Sequence, residues 1–105
     1  MTESPTVSDI ATYVRAKNAG PFWLTLDIFL PDDEAFATLT ASPGLTAERL
    51  GERYHVDPAT VKIFQLPRLR VVKVSLPRRT QQGGVHDRDL HSGQQHIPLW
   101  TMNLR

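Results

Sequence analysis

Apolar residues recur along this chain with two different periods, and the switches between them mark its elements. Behind Thr6 or Ser8 as a cap and Asp9 in a first turn, Ile10, Tyr13, Val14 and Lys17 share one stripe, which predicts a helix ending at Gly20 and Pro21. Residues 22–30 then alternate between two faces, rich in aromatic and branched side chains and flanked by prolines, the mark of a buried strand. Phe22, Leu24, Leu26, Ile28 and Leu30 fall on one side of it, Trp23, Thr25, Asp27 and Phe29 on the other. Acids after Pro31 open a second helix that turns Phe36 and Leu39 inward and stops at Ser42, Pro43 and Gly44. Thr46 caps a third over residues 47–54, with Leu50 and Tyr54 facing the core. Residues 61–66 and 69–76 read as two strands split by Pro67 and Arg68, and residues 97–104 as a short edge strand.

Together these elements predict an α+β fold, a mostly antiparallel sheet with helices packed on one face in the manner of a ferredoxin-like sandwich. The far face, with Trp23 and Phe29, then needs burial by the first helix or by a subunit interface. At 105 residues with 40% hydrophobic content the chain makes one domain, with residues 1–6 expected to be a disordered N-terminus. Lys and Arg number 12 against 11 for Asp and Glu, so the net charge of +1 sets up no global field for nucleic acid or an anionic membrane. Cysteine is absent, which removes disulfides and thiolate chemistry. The longest apolar stretch, residues 22–30, is broken by Thr25 and Asp27, and no basic, apolar leader opens the chain, so a soluble cytoplasmic protein without membrane contact is expected.

Candidate chemistry concentrates in residues 83–96. From His86 to His96 only Leu90 is a sizeable apolar side chain, while His86, Asp87, Arg88, Asp89, His91, Gln94, Gln95 and His96 bring imidazoles, carboxylates, a guanidinium and carboxamides behind a Gly-Gly hinge. The histidines recur every five residues, roughly 140° apart on a helix, and only Asp87 and His91 are spaced like helical ligands, so no metal is expected. A self-satisfied network, with Asp87 and Asp89 accepting bonds from Arg88, backbone amides and imidazoles, competes with a role for His91 as general acid or base. No cofactor fingerprint occurs, and no cofactor is expected.

Upstream, Arg68, Arg70, Lys73, Arg78 and Arg79 stand in a stretch without acids between Asp57 and Asp87. Arg68, Arg70 and Arg78 share strand parity, so one face could fork a carboxylate or phosphate, although charge on a solvated edge strand explains Arg68 and Arg70 as well. Lys17 and Asn18 read as helix C-capping residues, or alternatively as a cation and a carboxamide aimed into the same pocket as the polar loop. Residues 45–62 resemble the start of a helix-turn-helix. The second helix does not continue past Thr60, where residues turn β-branched and aromatic, and nucleic acid is not the expected partner.

Residues 13–29, 72–78 and 87–99, with their runs Lys17-Asn18-Ala19-Gly20-Pro21, Lys73-Val74-Ser75-Leu76-Pro77-Arg78 and Asp87-Arg88-Asp89-Leu90-His91-Ser92-Gly93, resemble a small bacterial family of unknown function. Its members accompany, or are fused to, proteins of the acyclic terpene utilisation A type, and the resemblance runs from about Ile10 to Leu99. It implies an accessory small subunit of a lyase-like or hydratase-like assembly that works with that larger protein on acyl or carboxylic-acid substrates, including acyl-CoA. Lys17, Arg78 and Arg88 would then neutralise an anionic group, Asn18, Gln94 and Gln95 orient a carbonyl, and His91 with Asp87 or Asp89 move a proton. The alternative is a non-catalytic, homo-oligomeric binding or scaffolding module. No nucleophile stands out, so a complete active site needs a second chain.

Overall fold

The computed structural model describes residues 5–20, 22–77 and 97–105. Its centre is a four-stranded, wholly antiparallel sheet in the order β1-β2-β4-β3, formed by β1 (Tyr13–Asn18), β2 (Trp23–Phe29), β3 (Lys62–Leu66) and β4 (Val71–Pro77). Helices α1 (Val7–Ile10), α2 (Asp33–Thr40), α3 (Ala47–Tyr54) and α4 (Ile97–Trp100) supply the second layer, giving the α+β plan that the sequence pattern predicts. β2 and β3 run parallel with β4 between them and are joined through α2 and α3. That is one split β-α-β unit; a β1–β2 hairpin replaces the other.

The core lies between the inward side of the sheet and the helices. Leu24, Leu26 and Ile28 of β2 and Val72, Val74 and Leu76 of β4 are almost wholly buried against Leu39, Leu50, Tyr54 and Leu99. Burial of each large aliphatic side chain contributes about 1.5–3 kcal/mol, so the alternation in β2 and β4 is what orients the sheet. Phe22, assigned to the same side by parity, precedes the strand and is half exposed.

The helix caps follow the sequence. Asp32 accepts from the Ala35 N–H at 2.8 Å to start α2, and Thr46 accepts from the Arg49 N–H at 3.1 Å to start α3. The first helix is a correction. Thr6 does begin it, with its N–H donating to Asp9 Oδ2 at 2.8 Å, but α1 ends at Ile10 and the chain enters β1 instead of continuing to Gly20. Tyr13 and Val14 favour extended backbone, and pairing with β2 satisfies a full ladder that a short isolated helix could not match. Gly20, at φ 89°, sits in the turn that closes this hairpin.

The C-terminal segment is also corrected. Residues 97–100 form α4, and strand-like pairing is reduced to a single bridge between Thr6 and Asn103. The tail is held by backbone bonds from Leu104 N–H to Pro5 O and from Gly44 N–H to Leu104 O, each 2.9 Å, while Leu99, Met102 and Leu104 plug the core. After α3 the chain passes through a 3-10 turn (Pro58–Thr60) directly into β3, so residues 45–62 hold one α-helix and no recognition helix.

Candidate functional site

Because side chains alternate along a strand, the residues of β2 that do not enter the core, Trp23, Thr25, Asp27 and Phe29, rise from the opposite side of the sheet. Register aligns them with Tyr13, Arg15 and Lys17 of β1, Val71, Lys73, Ser75 and Pro77 of β4, and Lys62, Phe64 and Leu66 of β3. None of the described helices covers this face. Tyr13, Trp23 and Phe64 remain 49%, 41% and 47% exposed on it. The burial by the first helix weighed for Trp23 and Phe29 does not occur, because that helix is only α1 and β1 takes its place.

At the middle of the face stands Asp27, 3% exposed. A carboxylate taken so far from water needs charged partners to offset its lost hydration. It has two: Arg15 Nη2 donates to Oδ2 at 3.1 Å, and Lys73 Nζ donates to Oδ1 at 2.8 Å. Arg15 also lies over the Phe29 ring, 5.7 Å from its centroid, and Phe29 stacks on Tyr13 at 4.4 Å with the rings 10° from parallel. Strands β1, β2 and β4 are thus tied by one polar and aromatic chain. With both carboxylate oxygens engaged by cations, Asp27 is held as a counter-ion and is not presented as a proton acceptor.

The next row across the sheet reads Lys17, Thr25, Ser75, Lys62 from edge to edge. Both lysines are exposed, and neither has an ion-pair partner among the described residues. Among the described residues, Arg15, Lys17, Lys62 and Lys73 therefore share this face with one carboxylate, Asp27. The result is a cationic surface that also carries exposed aromatic rings.

Lys17 and Asn18, read as a pair serving one pocket or capping a helix, occupy consecutive positions of β1 and so belong to opposite sides of the sheet; Lys17 is on the open face and Asn18, opposite Leu24, on the inward one. Arg68 and Arg70 do not share a strand face. A 3-10 turn (Pro67–Leu69) contains Arg68 and Arg70 follows it at φ 53°, where its guanidinium bonds Asp33 Oδ1 at 2.8 Å, a contact that raises its already high pKa. Arg78, Arg79, His86, Asp87, Arg88, Asp89, His91, Gln94, Gln95 and His96 lie outside the described residues. Sequence reading missed Arg15 and Lys62. The signal for Arg15 was its position two residues after Tyr13 in an alternating segment, masked by an apparent helical stripe.

Among the described residues no group of three or more His, Asp or Glu is placed to hold a metal ion, and no helix is long and apolar enough to cross a membrane. Residues 7–103 match the model of the family described as Domain of unknown function (DUF4387), and the chain belongs to that family. No match was found among curated proteins or among solved structures.

Proposed function

We propose that this member of the family is an accessory subunit that seats on a larger protein through the open face of its sheet. The observation that carries the reading is the sheet face turned away from the described helices, where three large aromatic side chains stand about half exposed around a buried, doubly paired carboxylate. An exposed apolar area set among charges is typical of an interaction surface, and aromatic residues with Arg are the types enriched in interface cores. The partner proposed is the acyclic terpene utilisation A-type protein to which the sequence resemblance leads, in a lyase-like or hydratase-like assembly acting on acyl or carboxylic-acid substrates. In that assembly Asp87, Arg88, Asp89, His91, Gln94 and Gln95 are the polar residues offered to the substrate, with Arg78 as an anion contact, while Lys17 on the sheet face serves docking.

The self-associating alternative is less favoured by charge. A second copy apposed through the same face would bring two sets of Arg15, Lys17, Lys62 and Lys73 into one interface, cationic face against cationic face. Co-expression with the larger protein, followed by size-exclusion chromatography with light scattering, tests the reading. A stable complex that Phe64→Glu and Trp23→Ala disrupt is expected. A chain that ignores the larger protein, or forms a homodimer broken by the same two substitutions, overturns it.

A further inference from the structure

The four cations of the open face are not equivalent, and their difference points to the chemistry of what docks there. Arg15 and Lys73 are committed to Asp27 at 3.1 and 2.8 Å. Lys17 and Lys62, exposed and at the two edges of one row, meet no carboxylate among the described residues. Between them lie Thr25, which is buried, and Ser75, which is half-buried, and neither carries a charge. Three strand spacings separate the two lysine backbones, about 14 Å.

From this we infer that the face receives an acidic protein surface, with partner carboxylates meeting Lys17 and Lys62 and partner apolar atoms covering Trp23, Phe64 and Tyr13. The inference rests on the docking reading above and adds the sign and placement of the partner's charge. Two other anionic occupants fit less well. Single-stranded nucleic acid stacks successive bases on neighbouring rings. Here Tyr13 and Phe64 stand on opposite edge strands and Trp23 near the far end of β2, with other residues between them. An anionic membrane favours clustered basic residues of high net charge, whereas this chain as a whole carries +1.

Fluorescence anisotropy of labelled poly-L-glutamate, titrated with the whole chain at low ionic strength, reads the inference without requiring the larger protein. Binding is expected to weaken at least tenfold in the Lys17→Glu/Lys62→Glu variant, to persist in Lys17→Arg/Lys62→Arg, and to fall as salt rises. Both lysines are exposed, so the variants keep the fold, which circular dichroism checks. Unchanged binding by the charge-reversed variant overturns the inference, as does tighter binding to a single-stranded oligonucleotide or to phosphatidylserine vesicles than to poly-L-glutamate. Should poly-L-glutamate bind through the lysines while the larger protein does not co-purify, the accessory-subunit reading fails alone. A complex with the larger protein that tolerates charge reversal at both lysines removes this inference and leaves that reading standing.

Discussion

Lys73 and Asp27 meet across the β2–β4 ladder as a directly opposed pair, Nζ 2.8 Å from Oδ1, on the side of the sheet turned away from the described helices. The carboxylate is 3% exposed while the ammonium side chain is 36% exposed, so the burial is one-sided. Arg15, opposed to Asp27 from β1, completes the arrangement. An acid placed between Arg15 and Lys73 lets two basic residues of flanking strands share the middle of this face with their charges offset.

Asp27→Asn therefore removes the counter-charge of two cations at once. Because Arg15 and Lys73 stay partly hydrated, the loss is smaller than for a fully enclosed pair, about 1–2 kcal/mol of stability. Urea denaturation checks it, with Lys73→Met expected to cost less, since Arg15 continues to neutralise the carboxylate. A double-mutant cycle between the two positions should show clear coupling. No loss on Asp27→Asn would mean that the ion pairs are incidental to the fold.

This arrangement was half legible in the sequence. Alternation in residues 22–30 already set Asp27 beside Trp23 and Phe29 on the non-core face, and the strands holding Lys73 and Lys62 followed from β-branched residues and the Pro67 break. Residues 13–18 misled because Ile10, Tyr13, Val14 and Lys17 happen to fit a helical stripe, while only Val14 of β1 is buried enough to announce a strand. What decides that segment is its ladder with β2, a contact outside any local window. The tail was misread for a similar reason, since α4 and the Thr6–Asn103 bridge depend on what Pro5, Thr6 and Gly44 bring to it.

Gly44 is one of the residues that lock the tail. A Cβ there would come within 2.5 Å of the Asn103 carbonyl oxygen and 2.6 Å of the Leu104 backbone, atoms that cannot rotate away. Gly44→Ala must displace the C-terminal strap whose Met102 and Leu104 close the core. Overpacking of this kind costs about 1–3 kcal/mol. Thermal melting checks the loss, and an unaltered midpoint would show that the strap contributes little.

His55 ends α3 in the left-handed region, φ 60° and ψ 44°, with its N–H donating to Gly51 O. An L-residue with a Cβ is disfavoured in that conformation, and glycine is not. Since the imidazole is exposed, His55→Gly should stabilise the protein by about 0.5–1 kcal/mol, read as a higher urea midpoint at an unchanged slope. A lower midpoint would mean that the side chain makes a contact worth more than the relieved backbone.

Tyr54 links the last turn of α3 to α4: its buried hydroxyl oxygen accepts the Leu99 N–H at 3.1 Å. Burial pushes the phenol well above its ordinary pKa of 10.0, against smaller opposing effects from the Leu99 bond and the Arg53 charge. With the folded pKa raised, the unfolded chain gives up this proton first. The neutral phenol's contribution is thus fully present below about pH 10 and declines as pH climbs above it toward the folded value. Tyr54→Phe keeps the ring but leaves the Leu99 N–H without that acceptor, at a cost of about 1–2 kcal/mol near neutrality. Between pH 9 and 11 the wild-type urea midpoint should fall more steeply than that of Tyr54→Phe, which has no phenol to ionise there. Parallel pH profiles for the two proteins would show that Tyr54 ionises as readily folded as unfolded.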